Sequence, residues 1–437
     1  MNEKEILTNI SERLGIKALK PMQLEIAASQ SDLIRLAAPT GSGKTIAFVI
    51  NLLKHIAPQG KGVQSVIIAP SRELVLQIAA VVKAAASGYK VVAFYGGHKM
   101  EDEKKSLNPL PDIIVATPGR LLDHMNRGFL SLASVKSLVL DEYDKCVELG
   151  FEADMKRIVR KMTSLRRIIL TSATIASQLP EYLPQAGWQQ LDFSNGLDVK
   201  LQKVHVESPA PDKAQTLIDL LCAMPQKKSM IFVNHRESAD RLYNFLKKKA
   251  HIPAVLYHGG LEQHDRQMAV NLFENGTVNL LVATDLAARG LDIDGVDSVI
   301  HYHLPPTAEN WVHRNGRTAR NGAEGTVYII TSDADSIPEY VEWDRDYNPP
   351  LTDKCDLSSG ISTIHFSAGR KEKISKGDIV GFLIANAGLQ PDEIGKINVF
   401  DHEAIAAVPS SRLKEILSNV EGQKLKNKKI KITAVRP

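Results

Sequence analysis

The sequence predicts an α/β protein with two parallel-sheet domains in series and a smaller βαββαβ domain at the C-terminal end. Three observations predict it. From Leu33 to Phe193 short β-branched runs alternate with helix-length segments, the cadence of strands joined by helical crossovers. The runs are apolar throughout, without polar alternation, as strands are when helices cover both faces of their sheet. The same cadence restarts beyond Val199, and beyond Gly360 it gives way to a different order of elements.

In the first domain, residues 1–197, the expected strands are Leu33–Ala37, Val66–Ala69, Val91–Phe94, Ile113–Ala116, Leu138–Leu140 and Ile168–Leu170. The second, residues 198–345, repeats them as Met230–Val233, Ala254–Tyr257, Leu280–Ala283, Ser298–His301 and Thr326–Ile330. Asn348-Pro349-Pro350 and Ser358-Ser359-Gly360 can sustain neither a helix nor an inner strand, so residues 346–359 read as a linker. The third domain, residues 360–437, reads as strand Ser362–Phe366, helix Gly377–Ala387, strands Gly395–Phe400 and Glu403–Ala407, helix Ser411–Val420 and strand Lys429–Val435.

At 437 residues the chain exceeds a single core. It contains no apolar run of membrane-spanning length and no secretory leader, so the expectation is a cytoplasmic protein with no membrane partner. Cys146, Cys222 and Cys355 share no metal-ligand spacing and read as free thiols. The net charge of +4 is unevenly distributed: Gly360–Pro437 holds 13 Lys and Arg against 8 Asp and Glu, leaving the remainder near neutral. A compact basic module on a neutral body is the footprint of a nucleic-acid anchor.

Ala38–Thr45, APTGSGKT, follows a strand and opens a helix, so it predicts a nucleoside triphosphate site. Thr40, Gly41, Ser42 and Gly43 offer backbone N–H groups to the phosphates. Lys44 reaches the β- and γ-phosphates, and Thr45 offers its hydroxyl to Mg²⁺. Asp141 and Glu142 emerge from the end of another apolar strand: Asp141 as a Mg²⁺ partner, Glu142 to orient and deprotonate the attacking water. Arg317 and Arg320 in HRNGRTAR lie at i and i+3, a spacing that lets two guanidinium forks face one phosphate.

In these motifs and their order the chain resembles the DEAD-box RNA helicases, over both α/β domains. The resemblance implies two RecA-like, P-loop domains, ATP with Mg²⁺, and an RNA-stimulated ATPase. It implies that Gln23 reads adenine, that Asp292 meets the ribose, and that Ser172 and Thr174, with Asp144, couple hydrolysis to strand separation. Arg72, Gly97, Thr117, Pro118 and Arg120 match the family's RNA-backbone elements on the first domain, and Asn234, Arg266, Thr284 and Asp285 those on the second. Tyr143 stands where the family has its namesake Ala, which sets a ring next to the acid pair.

The third domain is similar to the RNA-binding module of DbpA-like helicases, bacterial proteins acting on 23S ribosomal RNA during large-subunit assembly. That module is RRM-like, yet Glu403–Val408 offers no ring for base stacking. Recognition is therefore expected to use Arg370, Lys371 and Lys373 with the tail lysines Lys424, Lys426, Lys428, Lys429 and Lys431. No obligate oligomer is expected. Two alternatives share the fold: an ATP-gated RNA clamp with weak turnover, and a DNA-directed helicase.

Overall fold

The computed structural model describes residues 1–437 apart from 39–41, 61, 98–99, 173–178, 194–199, 225–226, 286–292, 294, 320–323, 353–355 and 436–437. The chain forms two compact units, one built chiefly on Met1–Asp198 and one on Val199–Ala288 with Ile293–Pro437. Among the described residues no helix is long and apolar enough to cross a membrane.

The first unit is a seven-stranded parallel sheet of β1 (Leu33–Ala37), β2 (Ser65–Ile68), β3 (Val91–Phe94), β4 (Ile113–Ala116), β5 (Ser137–Leu140), β6 (Arg167–Ser172) and β7 (Gln189–Asp192), in the order β3-β4-β2-β5-β6-β1-β7. Its described helices are α1 (Glu3–Leu14), α2 (Pro21–Ala28), α3 (Lys44–Lys54), α4 (Arg72–Ala85), α5 (Met100–Ser106), α6 (Pro118–Asn126), α7 (Tyr143–Glu148) and α8 (Glu152–Val159). Helices cover both sheet faces, so Ile34, Ile67, Ile113, Val115 and Leu140 are wholly buried.

The second unit repeats this sheet strand for strand. Its strands β8 (Leu201–Ser208), β9 (Ser229–Val233), β10 (Val255–Tyr257), β11 (Leu280–Thr284), β12 (Ser298–His301), β13 (Gly325–Ser332) and β14 (Arg345–Asp346) take the order β10-β11-β9-β12-β13-β8-β14. Helices α9 (Ala214–Ala223), α10 (Arg236–Lys248) and α11 (Gln263–Glu274) connect them, and Ala308–Asn315 forms a further helix. The linker expected from its prolines is fastened in part to this sheet: β14 pairs with β8, and Tyr347 N donates to His205 O at 2.8 Å.

The same unit holds the third domain, an antiparallel sheet of β15 (Ile361–Phe366), β16 (Ile397–Val399) and β17 (Ala404–Pro409) with a last strand at Ile432–Ala434. Helices Lys376–Ala387 and Leu413–Val420 bury Ile364, Phe366 and Leu383 against one face. The tail differs from expectation, because Lys424–Leu425 and Lys428–Lys429 form a separate two-stranded hairpin ahead of that last strand. Lys426 and Asn427 both take positive φ at its tip, a local preference that apolar periodicity does not register.

The cysteine expectation needs one correction. Cys146 is free and buried, its thiol pushed up by burial and neighbouring carboxylates, but Cys222 is disulfide-bonded. Cys355 lies outside the described residues. Spacing along the chain does not reveal cysteines that only folding brings together.

Candidate active site and RNA-binding edges

The carboxyl ends of β1, β5 and β6 are neighbours in the first sheet, and each delivers part of the expected nucleotide site. Gly43 caps α3 with φ 95, a conformation open to glycine. Lys44 is 8% exposed, and its Nζ donates to the Ala38 carbonyl, so its charge is held inside the loop. Gln23 closes the loop from α2: its Nε2 donates to Gly43 O at 3.1 Å, and its Oε1 accepts from Lys20 N at 2.9 Å. A Cβ on residue 43 would overlap that amide. Thr40 and Gly41 lie outside the described residues.

Asp141, 3% exposed, follows β5 with its carboxylate accepting from the Thr171 hydroxyl. Burial pushes its pKa up, opposed by Thr171, by the positive charge of Lys44 and by the Glu142 N–H. Glu142 follows at φ 47 and is held by its N–H on Thr171 Oγ1 at 3.2 Å, so the chain turns sharply between the two acids. A buried carboxylate beside a lysine, with the Thr45 hydroxyl in the first turn of the adjoining helix, is a donor set suited to Mg²⁺.

Tyr143 does not lie as a plate over the acid pair. It is 6% exposed in the apolar cluster with Cys146, Met155 and Leu183, and its hydroxyl meets Tyr182 at 3.4 Å. Ser172 ends β6 and its carbonyl accepts from Ala38 N at 3.2 Å, a direct link between this strand and the phosphate loop. Thr174, Asp292 and Arg320 lie outside the described residues.

The neighbouring ends of β3, β4 and β2 carry the three expected backbone-binding elements. Arg72 opens α4 and donates to Gly96 O with its guanidinium over Tyr95, 5.4 Å from the ring centroid. Gly97 takes φ 97, and a side chain there would displace Arg72. Thr117 caps α6 and Pro118 begins it. Arg120 points inward instead of outward, with Nε donating to Glu103 Oε2 at 2.7 Å.

In the second unit Asn234 and Asp285 converge on a residue the sequence reading passes over. Arg314, 1% exposed, donates from Nε to Asp285 Oδ1 at 2.6 Å and from Nη2 to Asp285 Oδ2 and Asn234 Oδ1, both at 2.7 Å. Its Nη1 donates to His303 O at 2.7 Å. A planar fork that satisfies two strand ends and a carbonyl fixes the edge on which Thr284 also sits. Arg317 begins one turn later and is buried. Arg266 donates to Gln263 within α11, and the exposed Arg236, also missed, sets its guanidinium against Gly259 at the head of α10. The position matching the phosphate loop, after β8, reads Ser208-Pro209-Ala210-Pro211 without glycine, which explains why only one domain carries that loop.

The third domain uses its sheet differently from an RNA-stacking platform. The face opposite its helices lies on α11 and the turn after it. Thr363, Ile405 and Ala407 are buried there, and Asn275 Nδ2 donates to Thr363 Oγ1 at 2.8 Å. Lys396 pairs with Glu274 at 2.6 Å, Asn398 donates to Asn271, and His264 and His365 share the Glu403 carboxylate at 3.0 and 2.9 Å. Arg370, Lys371, Lys373 and the hairpin lysines remain exposed on another side. Lys426 and Lys428 tie the hairpin to the turn by donating to the carbonyls of Lys373 and Glu372.

Residues 20–182 match the DEAD/DEAH box helicase family, 212–322 the helicase conserved C-terminal domain, and 363–434 the DbpA RNA binding domain. Among similar proteins, ATP-dependent RNA helicase DbpA of Escherichia coli (strain K12) is 31% identical over 98% of this chain and 97% of its own. The DbpA of Bacillus subtilis (strain 168) is 28% identical, over 93% and 92%. Solved structures with the same fold include S. cerevisiae Dbp5 bound to RNA and ADP BeF3 (TM-score 0.67, 26% identity, 75% of this chain and 87% of that one). Mss116p bound to ssRNA and AMP-PNP is another (TM-score 0.68, 27% identity, 79% and 78%). A phosphate loop, an acid pair and two arginine-pinned edges on two like-ordered sheets agree with these matches, and the chain belongs to the DEAD-box ATP-dependent RNA helicases, of the DbpA type.

Proposed function

We propose that this helicase acts on 23S ribosomal RNA in large-subunit precursors, opening short duplexes locally beside a site gripped by its third domain. The observation that carries this reading is the match of residues 363–434 to the DbpA RNA binding domain. The exposed ridge of Arg370, Lys371, Lys373 and the hairpin lysines supports it, since the covered sheet face leaves that ridge to meet phosphates.

Gln23 reads adenine, Lys44 holds the β- and γ-phosphates, and Glu142 positions and deprotonates the attacking water. Mg²⁺, held by Thr45 and Asp141, would neutralise charge on the phosphate oxygens. Asp292 meets the ribose, and Arg317 and Arg320 stabilise charge growing on the γ-phosphate. Ser172 and Thr174, with Asp144, pass the state of the nucleotide to the RNA-bearing loops. RNA backbone lies on Arg72, Gly97, Thr117 and Pro118 in one domain and on Asn234, Arg266, Thr284 and Asp285 in the other. The inward packing of Tyr143 among Cys146, Met155 and Leu183 supports turnover over a stalled clamp.

The test is crosslinking in cells with sequencing of the bound RNA, alongside ATPase stimulation by a ribosomal fragment, an unrelated RNA and DNA of the same sequence. Recovery of one 23S segment that stimulates at the lowest concentration is expected. Equal stimulation by all three would defeat the proposal.

A further inference from the structure

Among the described residues of the first unit, a buried ionic cluster also forms on Glu103, outside the nucleotide site and the arginine-pinned edges. Glu103, 7% exposed, comes from α5, which follows the Gly96–Gly97 turn. A single oxygen of its carboxylate, Oε2, accepts from Arg120 Nε and from His124 Nε2, each at 2.7 Å. Both donors belong to α6, the helix begun by Thr117 and Pro118. His124 is wholly buried and stacked on Phe94 of β3 at 4.2 Å between ring centroids.

Among the described residues Glu103 Oε1 and His124 Nδ1 are buried without a hydrogen-bond partner, so the cluster is incompletely satisfied there. Such a cluster is costly as a source of stability alone. Burial pushes the Glu103 carboxyl up, but its bonds to His124 and Arg120 outweigh that and hold it below the usual range. Beside it, Lys104 Nζ sits over the Phe129 ring at 4.6 Å, so two successive residues of α5 are anchored against α6 and the segment after it.

We propose that Glu103 is a positioning residue for RNA, a peg that fixes the spacing between the Gly96–Gly97 turn and the Thr117–Arg120 helix start. The two elements leave adjacent strands, and Arg72 donates from a third strand end into the same turn. RNA backbone crossing them presents phosphates at a fixed interval, so the elements bind together only if their separation is fixed beforehand. Arg120 acts in this arrangement through Glu103 and orients the helix start. This inference rests on the reading above that both elements hold RNA.

The experiment measures RNA-stimulated ATPase for the full chain carrying Glu103→Gln, Glu103→Ala, Arg72→Ala, and Arg72→Ala with Glu103→Gln. Glu103→Gln keeps the shape and removes the charge, and should raise the KM for RNA roughly tenfold with kcat and the KM for ATP nearly unchanged. Glu103→Ala should raise it further. In the double variant the RNA penalties should combine non-additively, because both changes loosen one turn. A role in stability alone would lower the melting temperature of Glu103→Gln and leave its RNA KM at the wild-type value, which would overturn the proposal. If Glu103→Ala does not fold, Glu103→Gln decides the matter by itself. Should Arg72→Ala also leave the RNA KM unchanged, the RNA-edge reading fails; if Arg72→Ala raises it and Glu103→Gln does not, only the peg fails.

Discussion

The Thr363 hydroxyl lies 2.7 Å from that of Thr277, so a central strand of the third domain is bonded to the turn that ends α11. The opposite end of α11 carries Gln263 and Arg266, and one helix thereby joins the proposed RNA-contacting element to the DbpA-type RNA-binding domain. Thr363→Arg would force a charged side chain into a contact with no exposed surface and separate the two. The expected outcome is retained binding of the ribosomal fragment and a rise of roughly tenfold in the RNA needed for half-maximal ATPase. Filter binding and ATPase titrations check this, and an unchanged titration with a demonstrably detached domain would remove α11 as the link.

Gln23 spends both ends of its amide on the loop and the chain before it, donating to Gly43 O and accepting from Lys20 N. A base bound here must exchange with contacts already made, so the proposed adenine reading and the loop's shape depend on one side chain. Gln23→Ala should raise the KM for ATP about tenfold, with a smaller change for GTP, because a site without its amide loses discrimination along with affinity. Steady-state ATPase and GTPase measurements decide it. Parallel losses for both nucleotides would mean that Gln23 shapes the loop and does not read the base.

Much of this could be read from the chain, and the failures share a physical cause. The phosphate loop and the acid pair are legible because glycine, lysine and aspartate must follow a strand in a fixed local order. Strand β7, Gln189–Asp192, is missed since an edge strand tolerates polar residues, and β8 is missed because its alternating burial hides an apolar run. Arg314 is passed over because its acceptors lie 29 and 80 residues away, invisible to spacing. The pairing of Thr363 and Asn398 with residues of α11 and the turn after it is not visible in the sequence, because those partners lie 88 and 127 residues away.

Glu142 stands at a left-handed turn between a buried aspartate and an inward-turned tyrosine, with its N–H bonded to Thr171 Oγ1. Glu142→Gln keeps the turn and removes the proposed base. Turnover should fall by at least about a hundredfold while nucleotide and RNA still bind, and the protein should accumulate on RNA in the presence of ATP. Single-turnover hydrolysis with fluorescence anisotropy separates the steps. Substantial phosphate release by this variant would place the base elsewhere.

Two histidines give the second unit a sign-defined response to acid. Burial and then the charge of Arg314 press His301 down to about 3, against its bond to Asn315, and burial with Lys213 and Arg314 presses His303 to about 4. Both stay neutral in the fold while the unfolded chain takes up protons below about pH 6.5, so stability is full above that value and is lost as pH falls toward the folded values. Each histidine should remove about 1.4 kcal/mol per pH unit in that window. His301 Nε2 donates to Asn315 Oδ1 at 2.8 Å and its Nδ1 faces Arg314 Nη1 at 3.4 Å, so a proton added at Nδ1 would meet a second cation in a closed space. Thermal melts between pH 7.5 and 5 should show His301→Gln with a shallower slope than the unaltered chain, whatever its starting stability. Identical slopes would assign the acid response to other groups.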